Sequence, residues 1–213
     1  MSNNDDATGV PLTRFESLGL YLPEETVTTK DLISQLRDEP EFDLVKFTGI
    51  EQRHKRSKAE DTLTMSVAAA QDCLSRSKYN AADLDVIISG AITRVRGEAE
   101  YYLEPAMSLW VKNELGAFNA INFDVGNACA GMTTGVHLLD GLIKSGAARC
   151  GMVVSGECNS PIFETAIREI ESSYDEQFAS LTVGDAATAV ILDNEGSESE
   201  CIEFVEMLSC TES

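Results

Sequence analysis

Asn122-Phe123-Asp124-Val125-Gly126-Asn127-Ala128-Cys129-Ala130-Gly131-Met132 is the stretch that decides the fold. It ends a segment, 119–125, in which Ile121, Phe123 and Val125 alternate onto one face, the pattern of a strand. Gly126-Asn127 reads as a tight turn. From about Cys129 to Lys144 nearly every residue is small or apolar, which predicts a helix buried on all sides rather than an amphipathic one. A cysteine at the first turn of such a helix lies beside unpaired amides and the positive end of the helix dipole, which favour a negative sulfur. The turn also pushes the thiol outward, as in nucleophile elbows. A cysteine between two alanines is equally a common core residue, because free cysteine packs as a small hydrophobe. On this stretch alone both readings of Cys129 stand.

The flanking sequence alternates strand-like and helix-like segments. Strands are predicted at Phe15–Tyr21, Val86–Ile88, Gly151–Gly156, Ala186–Leu192 and Ile202–Leu208. Short helices are expected at Asp31–Leu36 and Asp43–Phe47. A longer one spans Asp61–Lys78, capped at Asp61 or Thr62, with Leu63, Val67, Ala70 and Leu74 on its apolar face. Residues 91–103 carry no period and read as a loop, after which Glu104-Pro105 opens a helix that stops at Gly116. Apolar strands alternating with helices predict an α/β layer structure with a mixed or mostly parallel sheet. Gly131 and Gly135, four apart, would let another backbone approach closely. A helix with no polar face needs cover from a second layer, and the sequence does not obviously encode one.

Composition narrows the classes. Apolar content of 43% and charged content of 24% are ordinary for a globular chain, so disorder is excluded for the bulk. Sixteen basic against 36 acidic residues give a net charge of −20, which makes nucleic acid and anionic membranes poor partners. No long apolar run predicts a membrane span, and Met1–Asp6 has no secretory-signal pattern. The six cysteines, at 73, 129, 150, 158, 201 and 210, form no Cys-x-x-Cys pair and do not cluster with His54 or His137, so no metal site is expected. A reducing, cytoplasmic setting fits them. The one basic cluster, Arg53-His54-Lys55-Arg56-Ser57-Lys58, is either a solvated turn or a landing patch for an anionic carrier such as a phosphopantetheine donor.

The Cys129 stretch resembles the active-site segment of the ketoacyl synthase III-like condensing enzymes of the thiolase superfamily. Thr48-Gly49-Ile50-Glu51-Gln52-Arg53 resembles the early signature of that family, and Gly151–Glu157 and Leu181–Ala189 follow in family order. The resemblance covers about 12–208 and implies a flexible 1–11, a thiolase-like N-terminal domain over 12–208, and a tail at 209–213. It implies a Claisen-condensing acyltransferase in which Cys129 carries the acyl group. Coenzyme A or acyl carrier protein thioesters would be substrates, with no cofactor. A dimer formed through the N-terminal halves is also implied.

Tyr102-Leu103-Glu104-Pro105-Ala106 and the segment Pro161–Phe178 resemble the head-to-head acyl-CoA condensing enzymes of bacterial long-chain olefin biosynthesis. There a glutamate at the position of Glu104 serves the neighbouring subunit's site as a base. The plainer reading of Glu104 is a carboxylate stabilised by a helix N-terminus. Two features depart from the initiating synthases. Asp43 and Phe47 stand where many of those enzymes place a tryptophan and an arginine against the adenine, and Gly126-Asn127 replaces small apolar residues. The substrate-binding residues are therefore not assigned.

The family also uses a histidine and an asparagine from a second half. His137, eight residues beyond Cys129 on one helix, is about 12 Å away by helical rise and is expected to be a satisfied core histidine. His54 is expected to be exposed. The chain thus reads as the N-terminal half of a thiolase fold, whose complement is a separate polypeptide or a missing segment. A decarboxylating initiation enzyme and a non-catalytic partner of a heteromeric synthase are the alternative functions.

Overall fold

A computed structural model describes residues 10–97 and 100–203. Five strands form one mixed sheet: β1 (Arg14–Tyr21), β4 (Val86–Ser89), β7 (Ile121–Asp124), β8 (Cys150–Glu157) and β9 (Ala186–Asp193), in the spatial order β1-β9-β8-β4-β7. β8, β4 and β7 run parallel, while β9 is antiparallel to both β1 and β8. Val86-Ile87-Ile88 is wholly buried because helices cover this part of the sheet on both faces. The mixed α/β sheet expected from the sequence is therefore present. The proposed last strand at Ile202–Leu208 falls outside the described residues, apart from Ile202 and Glu203, which are not in a strand.

One face of the sheet carries α3 (Thr62–Ser75) and α4 (Met107–Leu115); the other carries α5 (Gly131–Lys144). Asp61 caps α3 in a reciprocal box with Thr64, as its side-chain type predicts. The expected Leu63-Val67-Ala70-Leu74 face does meet the core, Leu63 and Ala70 buried and Val67 and Leu74 half-buried against the same cluster, and the buried face extends further over Met65, Ser66, Ala69 and Cys73. A methyl on Gly156 would lie 2.8 Å from the Thr62 carbonyl oxygen, so at this point helix and strand approach too closely for any side chain at 156.

A second small sheet pairs β2 (Glu25–Thr28) with β3 (Gln52–Lys55), flanked by α1 (Thr29–Ile33) and α2 (Leu44–Thr48). These pack with α6 (Ser160–Glu169) around Leu32, Leu44, Phe163 and Leu181. The hairpin changes the reading of the basic cluster. Arg53 and Arg56 are buried, Arg53 donating to the Thr29 hydroxyl at 2.8 Å and Arg56 to the Glu60 carbonyl at 2.6 Å. Lys55 is paired with Glu164 at 2.8 Å. The cluster is not a solvated turn: much of its charge is turned inward, while Ser57 and Lys58 stay exposed. His54 is half-buried, its Nδ1 lying 2.7 Å from the Pro23 carbonyl, where an exposed ring was expected.

α5 corrects another expectation. Gly131, Gly135, Leu139, Asp140 and Ile143 are buried against the sheet, but Thr133, Leu138 and Gly141 face outward. The helix is apolar on a flank that nothing in the described chain covers. On β1, Phe15, Leu18 and Leu20 are also exposed, at 51%, 57% and 53%. Leu18 and Leu20 pair in register with Val190 and Thr188, and Val190 belongs to the core cluster beneath α5. The uncovered apolar surface is thus on the α5 side of the sheet.

Among the described residues, no helix is long and apolar enough to cross a membrane, and no group of three or more His, Cys, Asp or Glu side chains is placed to hold a metal ion.

Candidate active site

Cys129 stands where the parallel strands end. β7 finishes at Asp124, Val125 N–H donates to the Ser89 carbonyl at 2.8 Å, and Gly90 N–H donates to the Val154 carbonyl at 3.0 Å. These bonds bring the C-terminal ends of β7, β4 and β8 together, the place where open α/β sheets put their sites. Cys129 is the middle residue of a single 3₁₀ turn, Ala128–Ala130, that runs directly into α5.

The turn is strained at one residue. Ala128 has φ of 40°, a left-handed conformation that costs a non-glycine residue about 1–2 kcal/mol. Its inner side is fixed by backbone contact: a methyl on Gly90 would lie 2.7 Å from the Gly131 carbonyl carbon, and one on Gly131 would run into the Gly90 carbonyl. The close approach expected of Gly131 is to this backbone, whereas Gly135 lies against the Val153 side chain. On the outer side, residues 126–130 are all exposed. Cys129 is thus held from below and open above. The other thiols differ. Cys73, Cys150 and Cys158 are buried, and burial pushes the Cys150 and Cys158 thiols up to about 11.

Glu104 is exposed and lies ahead of α4, at the end of the loop read over 91–103 rather than in the helix it was expected to open. That loop contains a two-residue hairpin, β5 (Val95–Arg96) with β6 (Glu100–Tyr101). α4 begins at Met107, later than Glu104-Pro105 suggests, and its cap Ala106 supplies no side-chain hydrogen bond. Asp124 caps it from the strand below, accepting the N–H of Met107 and of Ser108, each at 2.9 Å. The same carboxylate pairs with Arg94 at 3.0 Å, and Arg94 donates a further bond to the Leu103 carbonyl at 3.1 Å. Glu157 holds the loop's start by accepting the N–H of Ile92 and Thr93, at 2.8 and 2.9 Å. Glu104 is therefore carried on a tethered loop anchored five residues before the cysteine. No hydrogen bond or ion pair joins Glu104 to Cys129 among the described residues.

The structure does not bring either histidine to the sulfur. His137 is half-buried on α5, and its Nδ1 is buried without a hydrogen-bond partner among the described residues, so it is not the satisfied core histidine expected. Asp43 caps α2, accepting the Lys46 N–H at 3.1 Å, and Phe47 is 86% exposed. A large cleft of about 960 Å³ lies beside them, lined by Ile33, Leu36, Phe42 and Lys46, and does not include Cys129.

This arrangement, a cysteine elbow at the carboxyl ends of a mixed five-stranded sheet, presents a thiol where a substrate can reach it, and the fold has close counterparts among known proteins. Residues 123–209 match the family described as 3-Oxoacyl-[acyl-carrier-protein (ACP)] synthase III. The chain is 29% identical over 195 residues to beta-ketoacyl-[acyl-carrier-protein] synthase III 2 of Halalkalibacterium halodurans, covering 92% of this chain and 54% of that one. It is 30% identical over 180 residues to the synthase III 1 of Lactiplantibacillus plantarum, covering 84% and 51%. Among solved structures, cerulenin-bound OleA of Xanthomonas campestris superposes with a TM-score of 0.76 at 21% identity, over 86% of this chain and 57% of that one. The priming beta-ketosynthase of the R1128 polyketide pathway gives 0.72 at 24%, over 87% and 51%. The chain is similar to the ketoacyl synthase III enzymes along most of its own length and spans about half the length of the curated relatives it matches.

Proposed function

We propose that this chain is the nucleophile-bearing half of a Claisen-condensing acyltransferase. The observation that carries the reading is the strained, outward-facing turn that presents Cys129 at the ends of β4, β7 and β8. The Cys129 thiolate attacks the carbonyl of an acyl thioester and expels the carrier thiolate, leaving an acyl-cysteine. A second thioester then loses a proton from its α-carbon, and the carbanion attacks the acyl-cysteine carbonyl. Cys129 leaves as thiolate and a β-ketoacyl thioester is released. Glu104, on its tethered loop, is the base for the α-proton, acting in a neighbouring subunit. Coenzyme A and acyl carrier protein thioesters are the substrate class, and the reading requires no cofactor.

Partners follow from uncovered surfaces. The outward flank of α5, the exposed Leu18 and Leu20, and the unpartnered Nδ1 of His137 support a complementary half that covers this side and supplies a histidine and an asparagine. β7 lies at the edge of the sheet with Ile121 58% exposed and Phe118 71% exposed nearby, which supports a dimer through the N-terminal halves. The cytoplasm is the setting in this reading, supported by the unpaired cysteines.

The ketoacyl synthase III relatives favour a second reading, in which the carbanion forms by loss of carbon dioxide from a malonyl carrier. The chain is incubated with its complementary half and an acyl thioester, and Cys129 is examined for added acyl mass. An unmodified Cys129 would sink both enzyme readings and leave a non-catalytic partner. Loss of condensation with acyl transfer retained in Glu104→Ala supports the base, whereas unchanged condensation assigns the decarboxylating route.

A further inference from the structure

The elbow has a side-chain hydrogen bond at its entrance that the proposed reaction does not use. Asn127, two residues before the nucleophile, donates from Nδ2 to the hydroxyl of Thr134 at 2.8 Å. The bond passes over Ala128, the strained residue, and ties the entrance of the turn to α5 about a turn beyond its start. Three other restraints act on the turn: the Gly90–Gly131 contact below it, the Ala130 N–H donating to the Asn127 carbonyl at 2.9 Å, and the Thr133 hydroxyl donating to the Ala130 carbonyl at 2.9 Å, beyond the cysteine. None of these joins a side chain before Ala128 to α5, and residues 126–130 are all exposed. A left-handed alanine persists only where its surroundings over-determine it.

We propose that Asn127 is a positioning residue that, through Thr134, holds the turn at Ala128 and so fixes the direction in which Cys129 presents its sulfur. This rests on the reading of Cys129 as the nucleophile. Without the bond, Ala128 relaxes toward an unstrained conformation and the sulfur turns from its outward position. The bond lies at the surface, so its loss acts on the turn and leaves the buried core intact.

The test is the rate of Cys129 alkylation by iodoacetamide in the full chain, followed by peptide mass so that the other thiols are read separately. Asn127→Ala and Thr134→Val are each expected to slow labelling about fivefold, the rate equivalent of about one neutral hydrogen bond. The double variant should be no slower than either single one, because both remove the same bond. Thr134→Ser keeps the hydroxyl and should label like the parent chain. Parent-like rates in either single variant, or effects that add, overturn the proposal. A fall in urea midpoint matching the fall in rate also overturns it, since the pair would then act on global stability. An acyl thioester run in parallel with the complementary half keeps the two ideas apart. Alkylation of Cys129 without acylation refutes the condensing reaction and leaves the positioning role standing.

Discussion

Replacing Asp124 by alanine should cost about 3 kcal/mol of stability, a large effect for one residue. Its carboxylate accepts two backbone N–H groups at the start of α4 and pairs with Arg94 at 3.0 Å. Its side chain is 11% exposed and that of Arg94 is 24% exposed, so neither is fully solvated. The lost cap is worth about 1 kcal/mol, and α4 has no side chain at its own cap position to replace it. Removing the charged partner of a mostly buried guanidinium adds about 2 kcal/mol, below the 3–5 for a wholly buried pair because Arg94 keeps some water. With a urea slope of about 2 kcal/mol/M, the midpoint should fall by about 1.5 M. Asp124→Asn retains an acceptor for one amide and should lose about half as much. Trp110, the chain's single tryptophan, lies in α4 with Arg96 4.4 Å over its ring, so its fluorescence follows the affected helix directly. A loss below 1 kcal/mol in Asp124→Ala, or equal losses in the alanine and asparagine variants, would refute the view that one carboxylate anchors both α4 and the Glu104 loop.

The remaining predictions concern the elbow, an acid-sensitive pair and the thiols. Gly131→Ala drives a methyl into the Gly90 backbone and should cost about 1–3 kcal/mol in urea unfolding while slowing Cys129 labelling; Gly126→Ala, with open space around it, should do neither. Asp193 is opposed by burial, but its bonds to Arg14 and Lys78 prevail and hold its carboxyl below the usual aspartate range. Because the folded value is the lower one, its stabilisation is complete above the unfolded value of about 3.9 and disappears as pH falls through and below it. Urea midpoints of the parent chain should therefore drop more steeply on acidification below about pH 4 than those of Asp193→Asn. At pH 8, iodoacetamide should label Cys129 in the folded chain, whereas Cys73, Cys150 and Cys158 should react only after unfolding, which peptide mapping would reveal.

How much of this was legible in the sequence depended on distance along the chain. Val86-Ile87-Ile88 is a strand because its apolar run is its own evidence, and Asp61 caps α3 through a partner three residues away. The cysteine turn was legible for the same reason: strand, turn and helix are contiguous. The α4 cap was not, because the acid that makes it is Asp124, seventeen residues beyond Met107. The basic cluster misled for a similar reason. Lys55 finds Glu164, and the Arg56 N–H finds the Asp185 carboxylate 129 residues away, so local composition suggested a solvated patch where the fold builds a buried network. The apolar face of α3 was legible but incomplete: periodicity found Leu63, Val67, Ala70 and Leu74, whereas the buried Ser66 reaches the core through close packing against Gly156, which lies far along the chain.

α5 shows where a sequence rule and the observed packing part company. Its composition demands cover on every side, yet only one side receives it here. The rule is sound if the helix is judged as part of a larger assembly, because apolar residues on the open flank are stable only when something buries them. The same asymmetry has a chemical consequence on the proposed reading. A thioester between Cys129 and an acyl group would stand on the exposed side of the elbow, where water competes with a carbanion for its carbonyl. On that reading condensation needs that side to be dry, as well as a histidine, and among the described residues neither His54 nor His137 is hydrogen-bonded to the sulfur. The fixed inner face, built on the Gly90–Gly131 contact, places the nucleophile. The outer face is where the complementary half would supply both the missing groups and the exclusion of water, so one docking event would bury the apolar flank of α5 and complete the chemistry.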